Sequence, residues 1–160
     1  MNARLALWSL TSAVAGFLFG FDTVIISGAE KTIQALWGLS ALQHGFVMSA
    51  ALWGTVAGSL AGSWPTDRFG RKQTLIWIGG LYVVSAVWSG LAAGAPSLTV
   101  ARFIGGVGVG IATVASPLYI SEIAPPLYRG RLAGLFQFNI VLGILVAFVS
   151  NALIGGTGPN

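Results

Sequence analysis

Cysteine is absent from this chain of 160 residues, and charge is scarce. Without thiols there is no disulfide or thiolate–metal framework, and the redox compartment is unreadable. Charged residues make up 8% of the chain, against about 25% in an ordinary soluble domain, too few to build a soluble surface. There is one histidine, His44, in the stretch before the second apolar run. No serine or cysteine nucleophile and no metal-ligand cluster accompanies it, so it reads as an interfacial residue. A soluble enzyme, a catalytic residue, a cofactor and a metal site are therefore not expected. The formal charge of +4 comes without a basic, aromatic-interleaved patch, which argues against a nucleic-acid partner.

What is present is apolar. Hydrophobic residues reach 55% and fall in runs of about 20, the length that crosses a bilayer as a helix. The chain reads as a polytopic, all-α membrane protein. Its spans run over Leu5–Ser27, Gly45–Trp64, Thr74–Ala93, Leu98–Ser121 and Leu132–Ile154. Arg4 followed by an apolar run imitates a signal peptide. The run exceeds the 7–15 residues of such a core and four more spans follow, so a retained helix is expected. Arg4, Arg68, Arg71, Lys72, Arg129 and Arg131 fall on one side of this layout and only Lys31 on the other. By the positive-inside rule the N-terminus is cytoplasmic, and the lipid bilayer is the first partner.

Glycine is abundant, 23 residues, and often recurs at a spacing of four. Gly54, Gly58 and Gly62 share one face of span 2, Gly16 and Gly20 one face of span 1, and Gly106 and Gly110 one face of span 4. Small residues at this spacing let helix backbones approach closely in lipid. The run "GGVGVG" (Gly105–Gly110) imitates a dinucleotide fingerprint, but it follows no strand and sits inside an apolar span.

Two charges lie inside spans. Asp22 is seventeen residues beyond Leu5, about 25 Å into a hydrocarbon core of about 30 Å. Arg102 is four residues into a span that enters from the opposite side, at a depth of about 6 Å. The two opposite charges thus lie at similar depth. A charge in the membrane costs about 2.5–3.5 kcal/mol by insertion scales and needs a partner, water or a task. Two readings fit. In one, Asp22 caps a broken helix end near Ser27 and Gly28, and Arg102 snorkels outward. In the other the two residues pair, and protonation of Asp22 breaks the pair. Burial disfavours an ionised carboxylate and a guanidinium favours it, a balance that suits loading and releasing a proton.

The cytoplasmic connections carry further signals. "DRFGRK" (Asp67–Lys72) holds four charges around Phe69 and Gly70. "SEIAPPLYRGR" (Ser121–Arg131) adds Glu122, Arg129 and Arg131 on the same side. A purely topogenic loop needs no acidic residue. Asp67 and Glu122 among arginines suggest a salt-bridge cluster that holds one conformation and releases another, a gate.

In order and at matching spacing, "GFLFGFDTVIISG", "DRFGRK", "RFIGGVGVG", "PLYISEIAPPLYRGRL" and "FQFNIVLGIL" closely resemble the N-terminal half of the sugar porter family within the major facilitator superfamily. Among its members the chain looks most like bacterial sugar–proton symporters. The resemblance covers essentially the whole chain and implies five transmembrane helices of an incomplete N-terminal bundle. It implies Asp22 as the protonation site of a proton-coupled transporter and Arg102 as its partner. It implies Gln137 as a hydrogen-bonding contact to a monosaccharide. Asp67, Arg68, Arg71, Glu122 and Arg129 match the intracellular charge network that latches the outward-facing state. Family uniporters often lack a carboxylate where Asp22 stands, so symport is favoured over facilitated diffusion.

Departures accompany the resemblance. Ser63 stands four positions before Asp67 where the loop motif usually has glycine. Trp64 and Pro65 crowd the end of span 2, and Pro65 is expected to stop it. Ile144 replaces a second sugar-binding glutamine of some members, leaving the sugar unnamed. The family has twelve helices in two halves with substrate held between them. A sixth helix and a C-terminal half are therefore the expected missing partners, with "IGGTGPN" (Ile154–Asn160) reading as a loop before the sixth helix. The sequence thus points to a plasma-membrane, proton-coupled sugar symporter working by alternating access, present as its N-terminal portion. The alternatives are a small non-transporting membrane protein that oligomerises through its glycine faces and a facilitated-diffusion sugar uniporter.

Overall fold

The computed structural model describes residues 3–155, with side chains from residue 14 to residue 154. The Arg4 side chain and the last five residues of the Ile154–Asn160 tail lie outside the described residues. Seven helices follow one another: α1 (Ala3–Ile25), α2 (Glu30–Leu36), α3 (Ala41–Ala61), α4 (Ser63–Phe69), α5 (Arg71–Gly90), α6 (Ala95–Ile123) and α7 (Arg129–Gly155), with a 3₁₀ turn at Ile26–Gly28. No strand occurs among the described residues. Helices satisfy their own backbone polar groups, as an apolar environment requires. Hydroxyls along them do likewise: Thr23, Thr55 and Thr99 each donate to the carbonyl four residues back, at 2.8–2.9 Å.

The five long helices α1, α3, α5, α6 and α7 occupy the five apolar runs, each starting a few residues before its run. For α3 the reason is a capping box. Ser40 Oγ accepts from the Gln43 amide at 3.3 Å, and Gln43 Oε1 accepts from the Ser40 amide at 3.1 Å. Two orphan donors are thereby satisfied at the helix start. His44 consequently lies within the first turn of α3, not in a loop, and is buried. Helices α6 and α7 are each long and apolar enough to cross a membrane, and α3 with α4 passes as a pair bent by 48°. Pro65 is the third residue of α4, where the first turn tolerates a missing N–H. The chain turns at Gly62 and coils again instead of stopping.

Two compact units divide the chain, with the divisions falling inside α2 and α6. The first unit comprises residues up to Ile33 and those from Ile120 onward. There α1 lies along α7 in parallel register. Methyl groups built on Gly16 and Gly20 would meet the carbonyls of Phe136 and Ile140, and one on Gly143 would meet the carbonyl of Phe17. Asn151 Nδ2 donates to the Val24 carbonyl at 3.1 Å, closing the far end of the pair.

The second unit, Gln34–Tyr119, pairs α3 with α6, also in parallel register. Gly54 faces Phe103, Gly58 faces Val107, and Gly106 and Gly110 face Ala51 and Thr55, backbone against backbone. Helix α5 runs antiparallel to α6. Ser85 Oγ donates to the Ala101 carbonyl at 2.7 Å and Trp88 Nε1 donates to Ser97 Oγ at 3.0 Å. The interior is built from small residues such as Ala101, Ala112 and Ala115, while Leu42, Phe46, Trp53 and Leu60 face outward. This arrangement suits lipid, where tight backbone contact, more than apolar burial, joins helices.

Candidate functional site

Asp22 stands in the last turn of α1 and is half-buried. Arg102 sits in the second turn of α6 at 8% exposure. Its side chain is thus buried within the protein, a costly placement for a permanent charge. Gln137 is on α7 and exposed. Its neighbours Phe136 and Ile140 supply the backbone that meets α1, so the amide is left for another partner. Asp22 and Gln137 fall in the first compact unit and Arg102 in the second.

The corner between α4 and α5 is built by Gly70, whose φ of 83° and ψ of 154° suit glycine alone. Thr74 Oγ1 donates to the carbonyls of Gly70 and Pro65, at 3.0 and 3.1 Å. This ties the start of α5 back to α4. The corner brings Arg71 Nη2 to 3.5 Å from Asp67 Oδ1, and Arg71 Nη1 donates to the Thr66 carbonyl at 3.3 Å. Arg68 is placed differently. Its Cζ lies 5.5 Å from the centroid of the Trp64 ring. Trp64 meets Phe69 edge-on at 5.8 Å, and Phe69 stacks on Trp77 at 5.4 Å.

Glu122 lies in the last turn of α6 and Arg129 opens α7, both exposed. Ile120, Ala124 and Leu132 form a small core between them, covered by Tyr128, Leu135 and Phe136. The Tyr128 amide donates to the Pro125 carbonyl at 2.9 Å, which rounds the turn and leaves the charged ends outward. Asp67, Arg68 and Arg71 belong to the second unit, Glu122 and Arg129 to the first.

The charges are misplaced for helix stability. Arg71, Arg129 and Arg131 stand in first turns, and Glu122 in a last turn. Each opposes the helix dipole, at about 0.3–1 kcal/mol where exposed.

Several residues that sequence reasoning did not assign have defined roles here. Asn151 joins α7 to α1 and Ser85 joins α5 to α6. A polar residue inside an apolar run was the available signal for both. Trp64 was legible only as crowding. No cluster of three or more metal-ligating side chains occurs among the described residues.

Comparison with known proteins agrees with this architecture. Residues 8–160 match the family described as sugar (and other) transporter. The arabinose–proton symporter of Bacillus subtilis (strain 168) is 37% identical over 94% of this chain and 32% of its own length. The glucose transport protein of Synechocystis sp. is 40% identical over 93% of this chain and 33% of its own. The solved structure of the major facilitator superfamily proton:xylose symporter XylE, bound to 6-bromo-6-deoxy-D-glucose, superposes with a TM-score of 0.90 at 31% identity. It covers 99% of this chain, which covers 39% of it. The chain spans about a third of the length of the curated relatives it matches. Nearly every residue of the chain is matched, the helices superpose, and the apolar lengths suit a bilayer. The chain therefore belongs to the sugar transporter family of the major facilitator superfamily, multi-pass membrane proteins that carry solutes and are not enzymes.

Proposed function

We propose that this chain supplies the N-terminal bundle of a proton-coupled sugar symporter in the cell membrane, with its N-terminus cytoplasmic and five membrane spans. Several relatives it matches are sugar–proton symporters by name. The observation that carries the coupling is the burial of Arg102 inside an apolar helix. A buried permanent charge calls for a carboxylate that alternates between paired and protonated forms, and Asp22 is the carboxylate within α1.

The cycle runs as follows. With the outer side open, Asp22 takes a proton and releases Arg102. A monosaccharide binds against Gln137, whose amide offers both donors and an acceptor to hydroxyls, and against the C-terminal half of the complete transporter. The inner charge network of Asp67, Arg68, Arg71, Glu122 and Arg129 then separates, the inner side opens, and sugar and proton leave together.

Sugar-dependent proton uptake into proteoliposomes tests this, with the chain reconstituted alone and as the N-terminal third of a complete transporter. Uptake by the complete protein alone supports the reading. Sugar flux without proton movement would make it a facilitated-diffusion carrier, and silence over a panel of monosaccharides would reject the sugar. Uptake by the short chain would show that the five-span unit carries solute without a second half.

A further inference from the structure

The α4–α5 corner gives two arginines three residues apart different partners. Arg71 reaches Asp67 and the Thr66 carbonyl, whereas Arg68 lies over the face of Trp64. Trp64 and Arg68 are four apart on one short helix, the spacing that puts side chains on the same face. The Trp64 ring is itself held. Phe69 meets it edge-on, and Trp77 of α5 backs Phe69. Thr74 ties α5 to α4, so the aromatic column spans both helices. An indole is the best of the aromatic faces for a guanidinium.

We propose that Trp64 is a positioning residue of the inner charge network: it parks the Arg68 guanidinium on its ring, apart from the Asp67–Arg71 pair. Without the ring, the Arg68 guanidinium is released from that face. The state that the network latches is then less well defined. The proposal rests on the latch reading for its functional meaning, but the parking itself is measurable in the chain without sugar or a proton gradient.

The test is the reactivity of Arg68 toward phenylglyoxal, read by peptide mass spectrometry on the 160-residue chain in proteoliposomes. A guanidinium against an indole face is shielded. Trp64→Leu is expected to raise the Arg68 modification rate about two- to five-fold, the worth of an exposed cation–π contact, and Trp64→Phe to restore part of the protection. Fluorinated tryptophans at position 64 keep the shape and weaken the ring's negative face. They are expected to raise the rate in order of fluorine number, which a packing role would not do. An unchanged rate in Trp64→Leu overturns the proposal, and so does a rate that is flat across the fluorinated series. Because no transport is measured, a chain that carries no sugar still yields either answer.

Discussion

Asp22 and Gly70 show how differently single residues act in this chain. Asp22 is a carboxylate placed where apolar side chains surround it in sequence, so its cost has to be offset by a partner, by water or by a task. If it carries the coupled proton, Asp22→Asn in a complete transporter abolishes uphill sugar accumulation and spares exchange of sugar for sugar. Counterflow and gradient-driven uptake, measured side by side, check this, and undiminished accumulation removes Asp22 from coupling. Gly70 acts through the backbone alone. Its φ of 83° with ψ of 154° is a conformation essentially confined to glycine, costing other residues about 1–3 kcal/mol. A Cβ there meets nothing within 4 Å, so the whole penalty of Gly70→Ala is conformational. Thermal unfolding in detergent should register it as a lowered midpoint.

At the scale of the elements, glycine sorts into two kinds that look alike in sequence. Gly106 and Gly54 bring α6 and α3 into backbone contact, whereas Gly79 and Gly80 on α5 have open space around the position of a Cβ. Gly106→Ala forces the helices apart, at a cost of about 1–3 kcal/mol for overpacking. Gly79→Ala fills nothing and adds about 0.5–1 kcal/mol of helix preference. Opposite shifts of the unfolding midpoint in the two variants are expected, and equal shifts would sink the assignment of α3–α6 as a glycine-mediated contact. The four-residue glycine spacing on spans 1, 2 and 4 was legible beforehand. Which helix each face meets was not. Spacing describes one helix, and the partner of α1 proves to be α7, more than a hundred residues away. The 48° bend between α3 and α4 was likewise mistaken for an end, because a proline signals interruption without saying whether the chain recovers one residue later.

At the scale of the molecule, Lys31 lies opposite Arg68, Arg71, Lys72, Arg129 and Arg131 in the proposed topology. A membrane-impermeant amine reagent added outside to sealed, right-side-out vesicles should label Lys31 and spare Lys72 until the vesicles are opened. Labelling of Lys72 first would invert the assignment of sides. The parallel register of α1 with α7 and of α3 with α6 fits this layout. Spans one and five, and spans two and four, cross in the same direction when every connection reverses the chain.

The sequence alone determined that the chain is apolar and helical. Charge at 8% cannot build a wetted surface, and runs of about 20 apolar residues have one economical form in a bilayer. Its motifs also placed the chain in its family before any geometry was known. The tertiary structure decided what depends on contacts distant along the chain. It set α1 on α7 and α3 on α6, because only backbones of complementary shape approach that closely. It buried Arg102. It tied α5 back onto α4 through Thr74 and Pro65. Local pattern reports what each helix must hide, and packing alone reports from whom.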